Sequence, residues 1–347
     1  MSSVDVDIKL SQKLRNLSFF FTCLVVFLHA LPGMKLDGST VHQVSTPLWI
    51  ICSVFKQGFC QACVPYFFIV SGFFLAGSFK RSGCWYKCEV VKRVKTLIVP
   101  FLIWNVLYWL WNAILVWIGS GKTDVFAISV QDAGRIVGLS VCKPALTSLW
   151  YIRCLFLLIL ASPLIRIFFL KQCAALVWLA FCLLLYGAIA PWGWYTDFCG
   201  YFFFYCISLV GLFWFSIGCY LRLYGGFGFP WRVSAVMVVV LFVAKVVLVK
   251  WGFAYAYYLG WFAIPFVIHF AWTLMPAYGF KISLAAFPLY VLHRFWLAPL
   301  QMICKDQSIM ICSIHFCVAV IGSVVTFLLF RRLSSGLIGI CFGGRGK

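Results

Sequence analysis

Polar residues along this chain are gathered into short clusters, and between them run apolar stretches of membrane-spanning length. A helix needs roughly 20 mostly apolar residues to cross a bilayer. Against that length the sequence predicts about ten helices, near 14–32, 57–79, 96–118, 148–170, 173–191, 201–222, 232–250, 255–276, 282–303 and 308–330. No stretch alternates strictly between apolar and polar residues, so the pattern points to helices rather than to an outer-membrane barrel. The expected fold class is all-α: a polytopic integral membrane helical bundle of about ten transmembrane helices. A single membrane-embedded domain over residues 1–347 is expected, with no appended soluble domain. Basic residues ahead of the first apolar run resemble a secretory leader, but the following HALPGMK offers no small-x-small cleavage site, so the run is read as a retained first helix.

Charge orients this bundle. With the N-terminus inside and successive helices alternating, inner segments hold eighteen of the 28 Lys and Arg residues and outer segments six. Lys and Arg mark cytoplasmic loops, so both termini are expected in the cytoplasm. Composition agrees with a lipid solvent: 64% of residues are hydrophobic and 10% charged, against about half and a quarter in soluble domains. The net charge of +20 would suggest nucleic acid in a soluble protein. Loop lysines and arginines account for it here, and no RNP-like or finger-like pattern is present, so nucleic acid is not an expected partner.

Most of the seventeen cysteines sit singly inside apolar runs, where Cys is a small buried residue. Cys60/Cys63 and Cys84/Cys88 have metal-like spacing, but no second pair or nearby His completes a four-ligand set, and no metal is expected. The longest outer loop, 119–147, carries Asp124 and Asp132 as candidate contacts for a polar substrate.

Chemistry concentrates in polar residues set deep in apolar runs. In NLSFFFTCLVVFLHALPG (Asn16–Gly33), His29 lies near the far end. On an ideal helix it stands roughly 16 Å beyond Ser18 on nearly the same face, with Arg15 a turn further back. Two readings of His29 stand level: a structural imidazole bonding a neighbouring helix, or a neutral imidazole able to take a proton from a hydroxyl. In VPYFFIVSGFFLAGS (Val64–Ser78), Ser71-Gly72 lets helices approach closely, and no G-x-S-x-G elbow surrounds Ser71, which is read as a packing residue. KCEVVKRVKTLIVPFLIW (Lys87–Trp104) places Lys92, Arg93 and Lys95 on the expected inner side. They either anchor to lipid phosphates or bind a soluble phosphorylated donor. SLWYIRCLFLLILASPLI (Ser148–Ile165) sets Arg153 about a turn inside a span, close to Trp150, a packing or pocket residue. AAFPLYVLHRFW (Ala285–Trp296) sets His293 and Arg294 mid-span with Tyr290 one turn behind. Ionisable groups at such depth are costly, and together they predict a polar chamber inside the bundle.

The stretches VVFLHA, VPYFFIVSG, KRVKTLIVPFLIW, LWYIRCLF and PLYVLH, in this order between about Leu14 and Arg332, resemble the acyltransferase-3 family of membrane O-acyltransferases. The resemblance implies a multi-pass protein of the inner (plasma) membrane that moves an acyl group, commonly acetyl, from cytoplasmic acyl-CoA. Acceptors implied are hydroxyls of bacterial cell-surface glycans, peptidoglycan or lipid-linked sugars. The family signature on the first helix is a basic residue, ten others, then His; His29 fits, and the basic position is Ser18 here. Arg15, one turn earlier, is the residue able to extend toward that place. The family's paired arginines after the second helix resemble Lys92, Arg93 and Lys95, where two lysines keep the charge and lose the forked geometry. A serine common before the family's Tyr-x-x-His motif is Ala286 here.

By resemblance, then, His29 is the catalytic base, and Arg15, Lys92, Arg93 and Lys95 hold the phosphates of acetyl-CoA, a co-substrate rather than a bound cofactor. Arg153 or His293 steadies the oxyanion, and Tyr290 lines the substrate site. Direct transfer and an acyl-histidine intermediate both remain open. Expected partners are acyl-CoA, a glycan or lipid-linked sugar and the bilayer, with a homo-oligomer or a glycan-assembly partner left open. The rival is a transporter or flippase of a lipid-linked sugar, but the inverted repeats it would carry are absent from the sequence. A glycan polymerase would need larger, Arg-rich outer loops.

Overall fold

A computed structural model describes residues 8–31, 51–56, 58–79, 84–121, 129–137, 144–189, 209–226, 230–251, 259–304, 308–333 and 335–344. Among these residues every regular element is helical. The α-helices are α1 (Ile8–Ala30), α2 (Cys63–Ala76), α3 (Trp85–Arg93), α4 (Val99–Ser120), α5 (Val130–Val137), α6 (Trp150–Leu160), α7 (Ser162–Phe168) and α8 (Gln172–Ile189). They continue as α9 (Leu209–Tyr224), α10 (Trp231–Lys250), α11 (Leu259–Phe262), α12 (Ile264–Leu274), α13 (Ala286–Ile303), α14 (Ile309–Leu333) and α15 (Ser335–Cys341).

Among the described residues, five segments are long and apolar enough to cross a membrane: Ile8–Ala30, Val54–Ala76, Trp85–Ser120, Trp231–Leu248 and Ile309–Arg332. Helices α6 and α7, bent by 62° where Pro163 starts the second, make a sixth if counted as one span. Gln172–Leu185 and Leu259–Leu274 are apolar but shorter. The described chain therefore supplies five or six spans where the apolar runs predict about ten. Parts of the expected spans at 173–191, 201–222 and 255–276 lie outside the described residues.

The described helices fall into two compact units. The first, drawn from Met1–Tyr66 and Phe227–Leu329, contains α1 and α10 to α13. Its core is a seam between α1 and α13, in which Val26 and Ala30 meet Leu289 and Leu297, closed by Ala319 of α14. Gly322 of α14 leaves room for the Trp296 indole, since a Cβ there would fall 2.5 Å from the ring. Helices α1 and α13 run in the same direction. Near the start of α1, Asn16 bonds the connector that leads into α13; near its end, the His29 carbonyl accepts from Gln301 late in α13.

The second unit, drawn from Phe67–Gly226 and Phe330–Arg345, is built on close backbone packing. A Cβ on Gly72 would fall 2.0 Å from the Phe215 carbonyl oxygen, and one on Gly218 would fall 2.0 Å from that of Ile69. Helices α2 and α9 thus touch backbone to backbone, which only glycine permits at both positions. Trp85–Ser120 forms one helical rod with a wider π-turn at Val94–Ile98. Pro100 just beyond it has no N–H to give the Thr96 carbonyl four residues back, a situation that favours a wider turn. The C-terminal segment packs against the same place. Gly343 (φ 60°) lies against the Thr96 carbonyl, and the Trp104 indole N–H donates to the Cys341 carbonyl at 2.7 Å. Asp132, a candidate substrate contact in the 119–147 loop, caps α5: its carboxylate accepts from the Ser129 hydroxyl at 2.6 Å, and its own N–H donates to that hydroxyl at 3.0 Å. The rest of that loop, including Asp124, lies outside the described residues.

Candidate functional site

The first unit brings two of the sequence-selected residues into contact. His29 of α1 and His293 of α13 stack with ring centroids 5.2 Å apart and planes 19° from parallel. His293 is fully buried, while His29 is half-buried. Tyr290, one turn before His293, places its ring 6.4 Å from the His293 ring.

The backbone fixes the tautomer of His293. Its Nδ1 lies 3.2 Å from the Leu289 carbonyl oxygen, four residues back on the same helix. A carbonyl only accepts, so Nδ1 carries the hydrogen, and in the neutral ring Nε2 presents a lone pair. That Nε2 is buried and has no hydrogen-bond partner among the described residues. As a neutral ring His293 therefore carries an acceptor at Nε2, and serving as an oxyanion donor would require a second proton. Positive charge is supplied by Arg294 and by Lys56, at the end of the π-turn Cys52–Lys56; both act electrostatically on the His29 ring. The Arg294 Nε is buried without a hydrogen-bond partner among the described residues. The two imidazoles stack beside the apolar seam of α1 and α13, within the electrostatic reach of Arg294 and Lys56.

Arg15 stands fourteen residues before His29 on α1, roughly 21 Å along the axis. Its guanidinium lies against Gly279: a Cβ on that glycine would sit 2.6 Å from Nη2. The Ser18 hydroxyl, in the family's basic position, is held by the Leu14 carbonyl at 2.8 Å and the Tyr66 hydroxyl at 3.2 Å. Tyr66 in turn donates to that carbonyl at 2.9 Å and stacks on Phe21.

The remaining candidates lie in the second unit. Lys92 and Lys95 are exposed, whereas Arg93 turns back to Glu89, with Nε 3.5 Å from the carboxylate. Arg153 is buried at 2% exposure on α6, which Trp150 opens. Ser71 shares a hydrogen bond of 3.1 Å with the Tyr151 hydroxyl, next to the Gly72 contact.

Sequence reasoning did not single out Asn16, Gln301 or Tyr66. Asn16, 3% exposed, donates to the Tyr278 carbonyl at 2.7 Å and the Pro276 carbonyl at 3.2 Å, and accepts from the Phe280 N–H at 3.3 Å. A lone amide at the edge of an apolar run was its only signal, and its partners lie about 260 residues away in sequence. A family model described as an acyltransferase domain matches residues 14–330. No curated protein and no solved structure matches the chain.

Proposed function

The chain belongs to the acyltransferase-3 family and is a membrane acyltransferase; from that premise we propose that it transfers acetyl from acetyl-CoA to a hydroxyl of a cell-envelope or lipid-linked glycan, with His29 as base. The observation that carries the reading is the stacked His29–His293 pair. Apolar side chains would close the α1–α13 seam at lower cost than an ionisable pair, which points to chemistry rather than packing.

In the proposed reaction His29 takes the proton of the acceptor hydroxyl as its oxygen attacks the thioester carbonyl. The new C–O bond forms, the C–S bond breaks, and the proton passes from His29 to the CoA sulfur. Arg294 and Lys56 offset the negative charge that develops on the carbonyl oxygen. His293 holds the His29 ring face-on and keeps an acceptor nitrogen beside it. Lys92 and Lys95 are the proposed contacts for the donor's phosphates, and Arg15 and Arg153 remain proposed substrate contacts. The proposed setting is the plasma membrane, with both termini cytoplasmic as the loop charges favour.

The test is transfer from labelled acetyl-CoA in membranes containing the protein, with a native envelope extract as acceptor. His29→Ala is expected to lower incorporation into the glycan or lipid fraction by about 100-fold or more. Transfer that survives the substitution makes His29 structural.

A further inference from the structure

Lipid supplies no hydrophobic drive between helices, so an apolar seam such as that between α1 and α13 sets its register only weakly. A slip of one turn would move His29 by roughly 5.4 Å and separate it from His293. Polar bonds fix the register at both ends of the seam. At the start of α1, Asn16 makes its three bonds to the connector 276–280. At the far end the Gln301 amide donates to the carbonyl of His29 itself at 3.0 Å. That carbonyl belongs to the last turn of α1, where the helix supplies no partner of its own.

The two contacts bracket the imidazole pair along α1. The Asn16 bonds hold the connector that leads into α13 beside the first half of α1, and the Gln301 bond holds the far part of α13 to the last turn of α1. His293, Leu297 and Gln301 follow at intervals of four on one face of α13, so Gln301 stands two turns beyond His293 on the helix face that carries it.

We propose that Asn16 and Gln301 are positioning residues that hold α1 and α13 in the one register that stacks His29 on His293. Neither touches the reacting atoms. Their role in catalysis rests on the reading of His29 as base; their role in geometry does not.

The experiment uses the full chain in membranes and has two arms. One measures carbethoxylation of His29 by diethylpyrocarbonate across pH, read by mass spectrometry of the His29 peptide. The other measures acetyl transfer, separating kcat from KM for acetyl-CoA. Gln301→Met keeps the length and removes the donor, Gln301→Lys keeps a donor, and Asn16→Ala removes the other contact. Gln301→Met and Asn16→Ala are expected to change the His29 carbethoxylation rate severalfold and displace its pH profile. They lower kcat by about tenfold or more with KM within twofold. Gln301→Lys recovers most of both. A Gln301→Met protein with wild-type carbethoxylation at every pH overturns the proposal. If Asn16→Ala does not fold, the two Gln301 variants decide. If the unsubstituted chain transfers no acetyl, the functional reading fails, and the carbethoxylation arm still decides the positioning.

Discussion

The seam between α1 and α13 and the contact between α2 and α9 are opposite solutions to holding two helices together in an apolar setting. At α2–α9, Gly72 and Gly218 remove side chains so that backbones meet, and Ser71 adds one hydroxyl bond to Tyr151. At α1–α13 the middle is apolar and the ends are tied by amides, with two imidazoles enclosed between. Close backbone contact gives many small attractions and little direction. Amide bonds give direction, and direction is what the level stacking of two rings needs. Part of α1–α13 is thus arranged for geometry that packing alone does not require.

Substitutions that fill or empty each contact sharpen this contrast. The largest effect is expected from Gly218→Val, whose side chain would drive into the Ile69 backbone. Destabilisation of about 3 kcal/mol is expected, seen as loss of detergent-stable monodisperse protein on heating. Wild-type thermal stability in that variant would break the backbone-contact account of α2–α9.

His293→Gln should act in the other sense, with kcat for acetyl transfer down by about tenfold, KM for acetyl-CoA little changed and stability nearly intact. A stability loss as large as that of Gly218→Val would make the histidine pair a packing device and erase the contrast. The smallest effect belongs to Ser71→Ala, about 0.6 kcal/mol of stability with transfer unchanged. A collapse of transfer there would make Ser71 a catalytic candidate.

Much of this was legible along the chain because it depends on local pattern. Apolar runs announced the long helices, and Ser71-Gly72 in its aromatic run announced a close helix approach, although its partner Gly218 gave no signal. His29, Arg153 and His293 were conspicuous as ionisable groups at depth. The cap that Ser129 and Asp132 make on α5 was legible as S-x-x-D at a helix start, although Asp132 was singled out only for its place in the longest outer loop. Asn16 and Gln301 were passed over because polar residues near the ends of apolar runs are ordinary at a membrane surface. The Arg93–Glu89 pair was equally hidden, since a basic run shows its charge but not which member turns back to an acid.

By itself the sequence determined the helical class, the membrane setting, the family and the identity of the deep histidines, all of which follow from composition, periodicity and short motifs. Only the tertiary structure decided that His29 meets His293, that Nε2 of His293 is buried without a hydrogen-bond partner among the described residues, and that Asn16 and Gln301 bond segments far away in sequence. The reason is distance along the chain. Periodicity reports which face of a helix is apolar, but the partner of that face is chosen by packing among segments 264 residues apart, and no local pattern carries that choice.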